Sequence, residues 1–168
     1  MKAKLIAVER LRSLLAYDHQ TGEIRWLVGG NNHVRAGAVA GYLRSDGYRC
    51  IAVDGSTFKA HRIAWALHYG DWPAQRLDHI NRDNSDNRIA NLRQATHAQN
   101  IANTQSKVSG RPKGAYWHKQ RQRWSSNITV AGRKQHLGVF ATEHEAAAAF
   151  EQAARELYGE FARTEARA

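Results

Sequence analysis

Cysteine is almost missing from this 168-residue chain: Cys50 stands alone. That excludes an internal disulfide framework and a thiolate-rich zinc module, and leaves His, Asp, Glu and Asn to build any metal site. Proline occurs only at Pro73 and Pro112. No window approaches the ~20 uninterrupted apolar residues of a spanning helix. The opening Met1-Lys2-Ala3-Lys4-Leu5 runs into a charged helical pattern rather than an apolar signal core, so the expectation is a cytoplasmic protein with no membrane partner. Acidic residues are absent from Gln105 to Leu137, a stretch that holds eight Lys or Arg. Over the whole chain 25 Lys plus Arg face 15 Asp plus Glu, a net charge of +10. An excess of that size on a small chain points to a polyanionic partner. Apolar residues still make up 42%, enough for a packed core.

The basic stretch overlaps a segment without apolar periodicity, 105–112, which reads as a linker. Two small domains are expected, 1–104 and 113–162, and the fold class is α+β. In the first, Leu5, Val8, Leu11, Leu14 and Leu15 lie at helical spacing, ending before Tyr17. A turn at Asp18–Gly22 leads into a strand over Glu23–Leu27. Asp46-Gly47 and Asp54-Gly55 separate apolar runs and predict antiparallel hairpins. Ala60–Tyr69 predicts a helix with Ile63, Ala64, Leu67 and His68 on one face, stopped by Gly70 and Pro73. In the second domain, strands are expected over Gly114–Lys119, Trp124–Val130 and Gln135–Phe140. They should back onto a helix with Thr142 as N-cap, Glu145 completing a capping box, and Ala146, Ala149, Phe150, Ala153 and Leu157 on its apolar face.

Chemistry concentrates in Leu77–Arg93 and in Gln99-Asn100, which together hold one His, several carboxylates and a run of asparagines. Phosphodiester hydrolysis needs a base to activate water and a divalent cation to hold the phosphate. His79 can be the base. Asp78, with an oxygen from Asn100, would supply the hard ligands that Mg²⁺ or Mn²⁺ prefers, with Asn87 and Asn103 as rival donors and a plain polar helix position as the alternative for Asn100. Neighbours on a strand face opposite ways, so aiming Asp78 and His79 into one cleft requires a twist or bulge at the strand end.

Asp78-His79, then Asn91 and Asn100 at their spacing, resemble the ββα-metal finger of phage-type HNH homing endonucleases, in the variant whose last His is Asn. Tyr17-Asp18, Thr21-Gly22-Glu23, Trp26, His61-Arg62 and Trp65 are similar to the sequence flanking that finger. The resemblance implies a finger at about 76–104: a strand ending at Asp78-His79, a second strand near Leu92–Ala95, and a helix from about His97. It implies His79 as general base, Asp78 and Asn100 as metal ligands for Mg²⁺ (or Mn²⁺), and Asn91 as a tether orienting His79. It also implies a phage or prophage protein acting on double-stranded DNA in a bacterial host cell, with a monomer favoured. Lys113-Gly114, Tyr116-Trp117, Trp124, Ile128, His136-Leu137-Gly138 and Phe140, before the Ala-rich helix, resemble a second family, the APETALA2-type DNA-binding domain. That resemblance implies groove contacts from Lys113, Tyr116, His118, Asn127, Thr129, Lys134 and His136. Because Asn127, Thr129 and His136 replace the acid, Arg and Trp usual in plant members, base preference does not carry over.

Other residues are expected to do duller work. His61 should be structural, His68, His97 and His144 surface or packing residues, Trp117 and Trp124 core, and Cys50 unreactive. Arg62, Arg82, Arg88 and Arg93 fit a solvated basic face as well as phosphate contacts. The competing function, from a different class, is a DNA-binding regulator that keeps a degenerate finger as scaffold and cuts nothing.

Overall fold

The computed structural model describes residues 5–30, 34–104, 112–130 and 132–162. The expected linker lies outside the described residues apart from Pro112. The fold is α+β with antiparallel sheets, as the sequence implies, and the chain divides into two compact units, Met1–Ala95 and Thr96–Ala168. The division falls at 95/96 rather than at 104, so the helix carrying Asn100 counts with the second unit.

In the first unit α1 (Val8–Leu14) gives way directly to β1 (Leu15–Tyr17), paired antiparallel with β2 (Ile24–Trp26). The helix therefore ends before Leu15, not before Tyr17. Leu15 is extended at φ −132°, ψ 136°, because its backbone joins Trp26 in a ladder that helical spacing cannot reveal. A three-stranded sheet follows, in order β3 (Tyr42–Leu43), β4 (Arg49–Val53) and β5 (Ser56–Lys59). Its second hairpin turns on Asp54 and Gly55, both at positive φ (47° and 77°), as a two-residue turn of the expected type demands. Helix α2 (Ala60–Tyr69) has the expected bounds and stops at Gly70, left-handed at φ 83°. Its buried residues are Ala60, His61, Ile63, Ala64 and Ala66, and His68 is exposed, in keeping with a surface residue. The core joins Leu11, Leu15, Ile24, Ile51, Val53, Phe58 and Ile63 with Leu92 from the last hairpin. That hairpin pairs β6 (Arg76–His79) with β7 (Leu92–Ala95) through a long polar loop ending in a short 3-10 turn, Ile89–Asn91.

The second unit opens with α3 (His97–Ala102), started by a capping box of Thr96 and Gln99. Strands β8 (Ala115–His118), β9 (Arg123–Val130) and β10 (Arg133–Phe140) form a sheet in order β10-β9-β8, and α4 (Glu143–Tyr158) packs on it. A register shift between His136 and Gly138 adds a bulge at Leu137. The Thr142–Glu145 capping box is present. Ile128, Phe150 and Ala154 form the core, with Tyr158 rather than the exposed Leu157 packed against it. Trp117 is not a core residue: it is 41% exposed and meets Trp124 edge-on at 5.3 Å. No helix among the described residues is long and apolar enough to cross a membrane.

Candidate active site

Strand β6 ends on two buried polar neighbours, Asp78 and His79, 5% and 4% exposed. The structure gives them different partners. Asp78 lies opposite Arg93 in the register, and Arg93 Nε donates to Asp78 Oδ2 at 3.0 Å. His79 Nε2 lies 3.4 Å from Asn87 Oδ1. Asn87 Nδ2 donates to the Ser85 carbonyl at 3.2 Å, which fixes the amide so that its oxygen faces the imidazole. Whether His79 Nε2 donates at that contact follows the imidazole tautomer. Burial pushes the His79 pKa below its ordinary value, against the opposing pull of Asn87 and of Asp78, Asp86 and Asp83. A base that is neutral at pH 7 is what water activation requires.

An aromatic cluster backs the imidazole. The His61 ring meets His79 edge-on at 5.0 Å, and Tyr48 stands 5.4 Å from His61 and 5.9 Å from His79. The Lys59 ammonium sits 3.3 Å from the Tyr48 ring centroid. His61 is buried, and its pKa is pushed down to about 3, first by burial and then by the charges of His79, Lys59 and Arg62.

The loop after His79 is held from two sides. From within, buried Asn91 accepts the Asn81 amide at 2.9 Å and donates through Nδ2 to Asn81 Oδ1 and to the Asp86 carbonyl, each at 2.9 Å. Asn81 Nδ2 in turn reaches Asp86 Oδ2 at 2.7 Å. The Arg88 guanidinium, with these bonds, holds the Asp86 carboxyl down to about 2. From outside, Tyr17 Oη donates to the Asn87 carbonyl at 2.8 Å, and Asn84 Nδ2 donates to the Asp46 carbonyl at 3.0 Å. Gly22, at φ 77°, comes so close that a Cβ there would stand 2.5 Å from the Arg88 nitrogen. Asn87 as the partner of His79, Arg93 as the partner of Asp78, Tyr48 behind the imidazole and Tyr17 as a tether of the loop were not read from the sequence. The Asp86-Asn87-Arg88 run inside the polar segment was the available signal for Asn87; the other three are brought in by pairing and packing.

As a cation site the donor set is spare. Among the described residues no three His, Cys, Asp or Glu side chains group as metal ligands, so a closed zinc-type cage does not fit. Asp78 offers one carboxylate, the hard oxygen donor that a largely hydrated cation takes.

In the second unit the implied DNA contacts separate. Asn127 and His136 are cross-strand partners with Oδ1 and Nδ1 3.1 Å apart. Thr129 pairs with Lys134, whose ammonium lies 6.0 Å from the Tyr116 ring centroid, and Tyr116 is exposed. His118 pairs with Arg123 at the far end of β8. Lys113 is set apart: its ammonium donates to the carbonyls of Ile101, Ala102 and Thr104 at 3.2, 2.9 and 3.1 Å, closing the C-terminal end of α3. Tyr116, Asn127 and Thr129 share a cleft of about 580 Å³ with His97 and Ile101 of α3.

The hairpin thus carries a buried His at the end of its first strand, beside a carboxylate and with a loop tied down by asparagine. The model of the HNH endonuclease family matches residues 58–102, which span α2, the hairpin and α3, and this supports an HNH nuclease that acts on DNA. No curated protein and no solved structure matches the chain.

Proposed function

We propose that this protein is a metal-dependent endonuclease of the phage HNH homing type that hydrolyses phosphodiesters in double-stranded DNA. The observation that carries the reading is the environment of His79: a buried imidazole, kept neutral, with its Nε2 engaged by Asn87. In this reading His79 takes the proton of the attacking water, and Asn91 holds the loop that positions it. Asp78 and Asn100 are the proposed ligands of a divalent cation, Mg²⁺ or Mn²⁺, which when bound supplies charge stabilisation at the phosphate. The 113–162 domain is proposed as an APETALA2-type module that holds DNA through Tyr116, His118, Asn127, Thr129, Lys134 and His136. Lys113, tied to α3 carbonyls, serves there as a structural clamp. The work would be done by a monomer in the cytoplasm of a bacterial host.

The non-cutting regulator draws on one observation: Arg93 occupies Asp78 Oδ2, the oxygen a cation would take. A plasmid-nicking assay separates the two. The nuclease reading expects cleavage with Mg²⁺ or Mn²⁺, none in EDTA, and a loss of at least ~10²-fold in His79→Ala with DNA affinity unchanged. Its acid limb should lie below the ordinary His value of about 6.5, because burial lowers the His79 pKa. DNA binding without any metal-dependent cutting would establish the regulator instead.

A further inference from the structure

Among the described residues three other than glycine have positive φ: Asp54, Arg82 and Gln122. Asp54 turns the β4–β5 hairpin and Gln122 lies in the turn between β8 and β9, where tight reversal demands that conformation. Arg82, at φ 66°, belongs to neither kind of turn. It lies in the polar loop, three residues after His79, and its backbone N–H donates to the His79 carbonyl at 2.9 Å. A long side chain in the left-handed region is disfavoured relative to glycine.

The side chain adds a second cost. Arg82 Nε and Nη1 are shielded from solvent and find no hydrogen-bond partner among the described residues. The nearby loop acids are otherwise engaged: Asp86 with Arg88 and Asn81, and Asp83 with the Ser85 amide and hydroxyl. A guanidinium keeps its charge at every physiological pH, so it cannot relieve the mismatch by losing a proton. Two unfavourable features on one residue, one residue-turn from the proposed base, imply a function that outweighs them. The missing partner must be an anion, and a guanidinium's donor fork matches phosphate oxygens.

Building on the nuclease reading, we infer that Arg82 is a phosphate-contacting residue of the site, whose unpaired donors take a DNA phosphate beside the one attacked from His79. This contact places the strand against the base and adds to charge stabilisation. The assignment predicts a separation of stability from function that a merely structural arginine would not give.

The experiment uses the full chain with Arg82→Gly, Arg82→Gln and Arg82→Lys; plasmid nicking reads cleavage, and a 30-base-pair duplex of random sequence reads the salt slope. Arg82→Gly relieves the backbone and removes the unsatisfied donors, so its thermal midpoint without DNA should equal or exceed that of the wild type. Its metal-dependent cleavage should fall by about 10²-fold. Its log K against log salt should flatten by about 0.9, the share of one phosphate. Arg82→Gln, which keeps the side-chain bulk, should show the same flattening, and Arg82→Lys should restore the slope and part of the rate. A wild-type salt slope in both Gly and Gln variants overturns the assignment. So does a lowered midpoint in Arg82→Gly together with an unchanged slope in Arg82→Gln. If the wild type cuts nothing, the nuclease reading fails, and the slopes still decide whether Arg82 holds phosphate.

Discussion

Protonating His61 should unlock the first unit in mild acid. The ring is 6% exposed and its pKa is about 3, against an ordinary value of 6.5. The unfolded chain therefore takes up the proton first as pH falls, and between about 6.5 and 3 each step downward favours unfolding. At pH 5, one and a half units below the ordinary value, the loss is about 2 kcal/mol at 1.36 kcal/mol per unit. Urea unfolding of the wild type and of His61→Gln, each at pH 7.5 and pH 5.0, measures it. The wild type should lose about 2 kcal/mol more than the variant over that interval. His79 remains in both proteins, so its own acid sensitivity largely cancels in the comparison. Asp18, Asp54, Asp83 and Asp86 are held below the carboxylate range, so their contributions are lost only at lower pH. Equal losses in the two proteins would mean that His61 is not held neutral by burial, and the account of the aromatic cluster behind His79 would fall with it.

Asn91→Ala removes three hydrogen bonds that tie the 80–88 loop and leaves the Asn81 amide without that acceptor; a loss of about 1–3 kcal/mol in urea unfolding is expected, with slower cleavage at every metal concentration. Gly114→Ala places a Cβ 2.1 Å from the Phe150 ring at a backbone φ of 86°, so the second unit should melt earlier in a thermal scan while the first keeps its midpoint. Asn127→Ala or His136→Ala breaks the cross-strand pair on the proposed groove face and should relax preference at particular base pairs, read by binding selection from a randomised duplex pool. Lys134→Ala should instead weaken all sequences alike.

Where local chemistry alone decides structure, the sequence was readable. Gly70 stops α2, Thr142 and Glu145 start α4, and Asp54-Gly55 closes a hairpin, each through contacts only a few residues apart. Leu92–Ala95 and the α3 start at His97 followed from the resemblance to the HNH finger. Leu15 was misread because a leucine in the third turn of an amphipathic pattern looks the same whether it continues the helix or pairs with Trp26. Trp117 was assigned to the core on size alone, although its strand register leaves it exposed. The partners of His79 divide in the same way. Asn87 is eight residues away and sits in the motif, but the Tyr17 hydroxyl that grips the Asn87 carbonyl comes from 70 residues upstream. Sequence pattern carries no distance of that kind.

The approach of Gly22 to Asn87 and Arg88 bears on modularity. The segment that matches the family begins at residue 58, yet the backbone of its loop rests on a turn about 36 residues earlier in the chain. A graft of 58–102 into another scaffold would bring the base without the abutment that keeps Asn87 against it. Substitutions at Gly22, far from the motif in sequence, would be scored in a random screen as active-site lesions. The structural unit around the matched segment is therefore larger than the segment itself: in this chain the loop needs the Gly22 turn, or a substitute, to lean on.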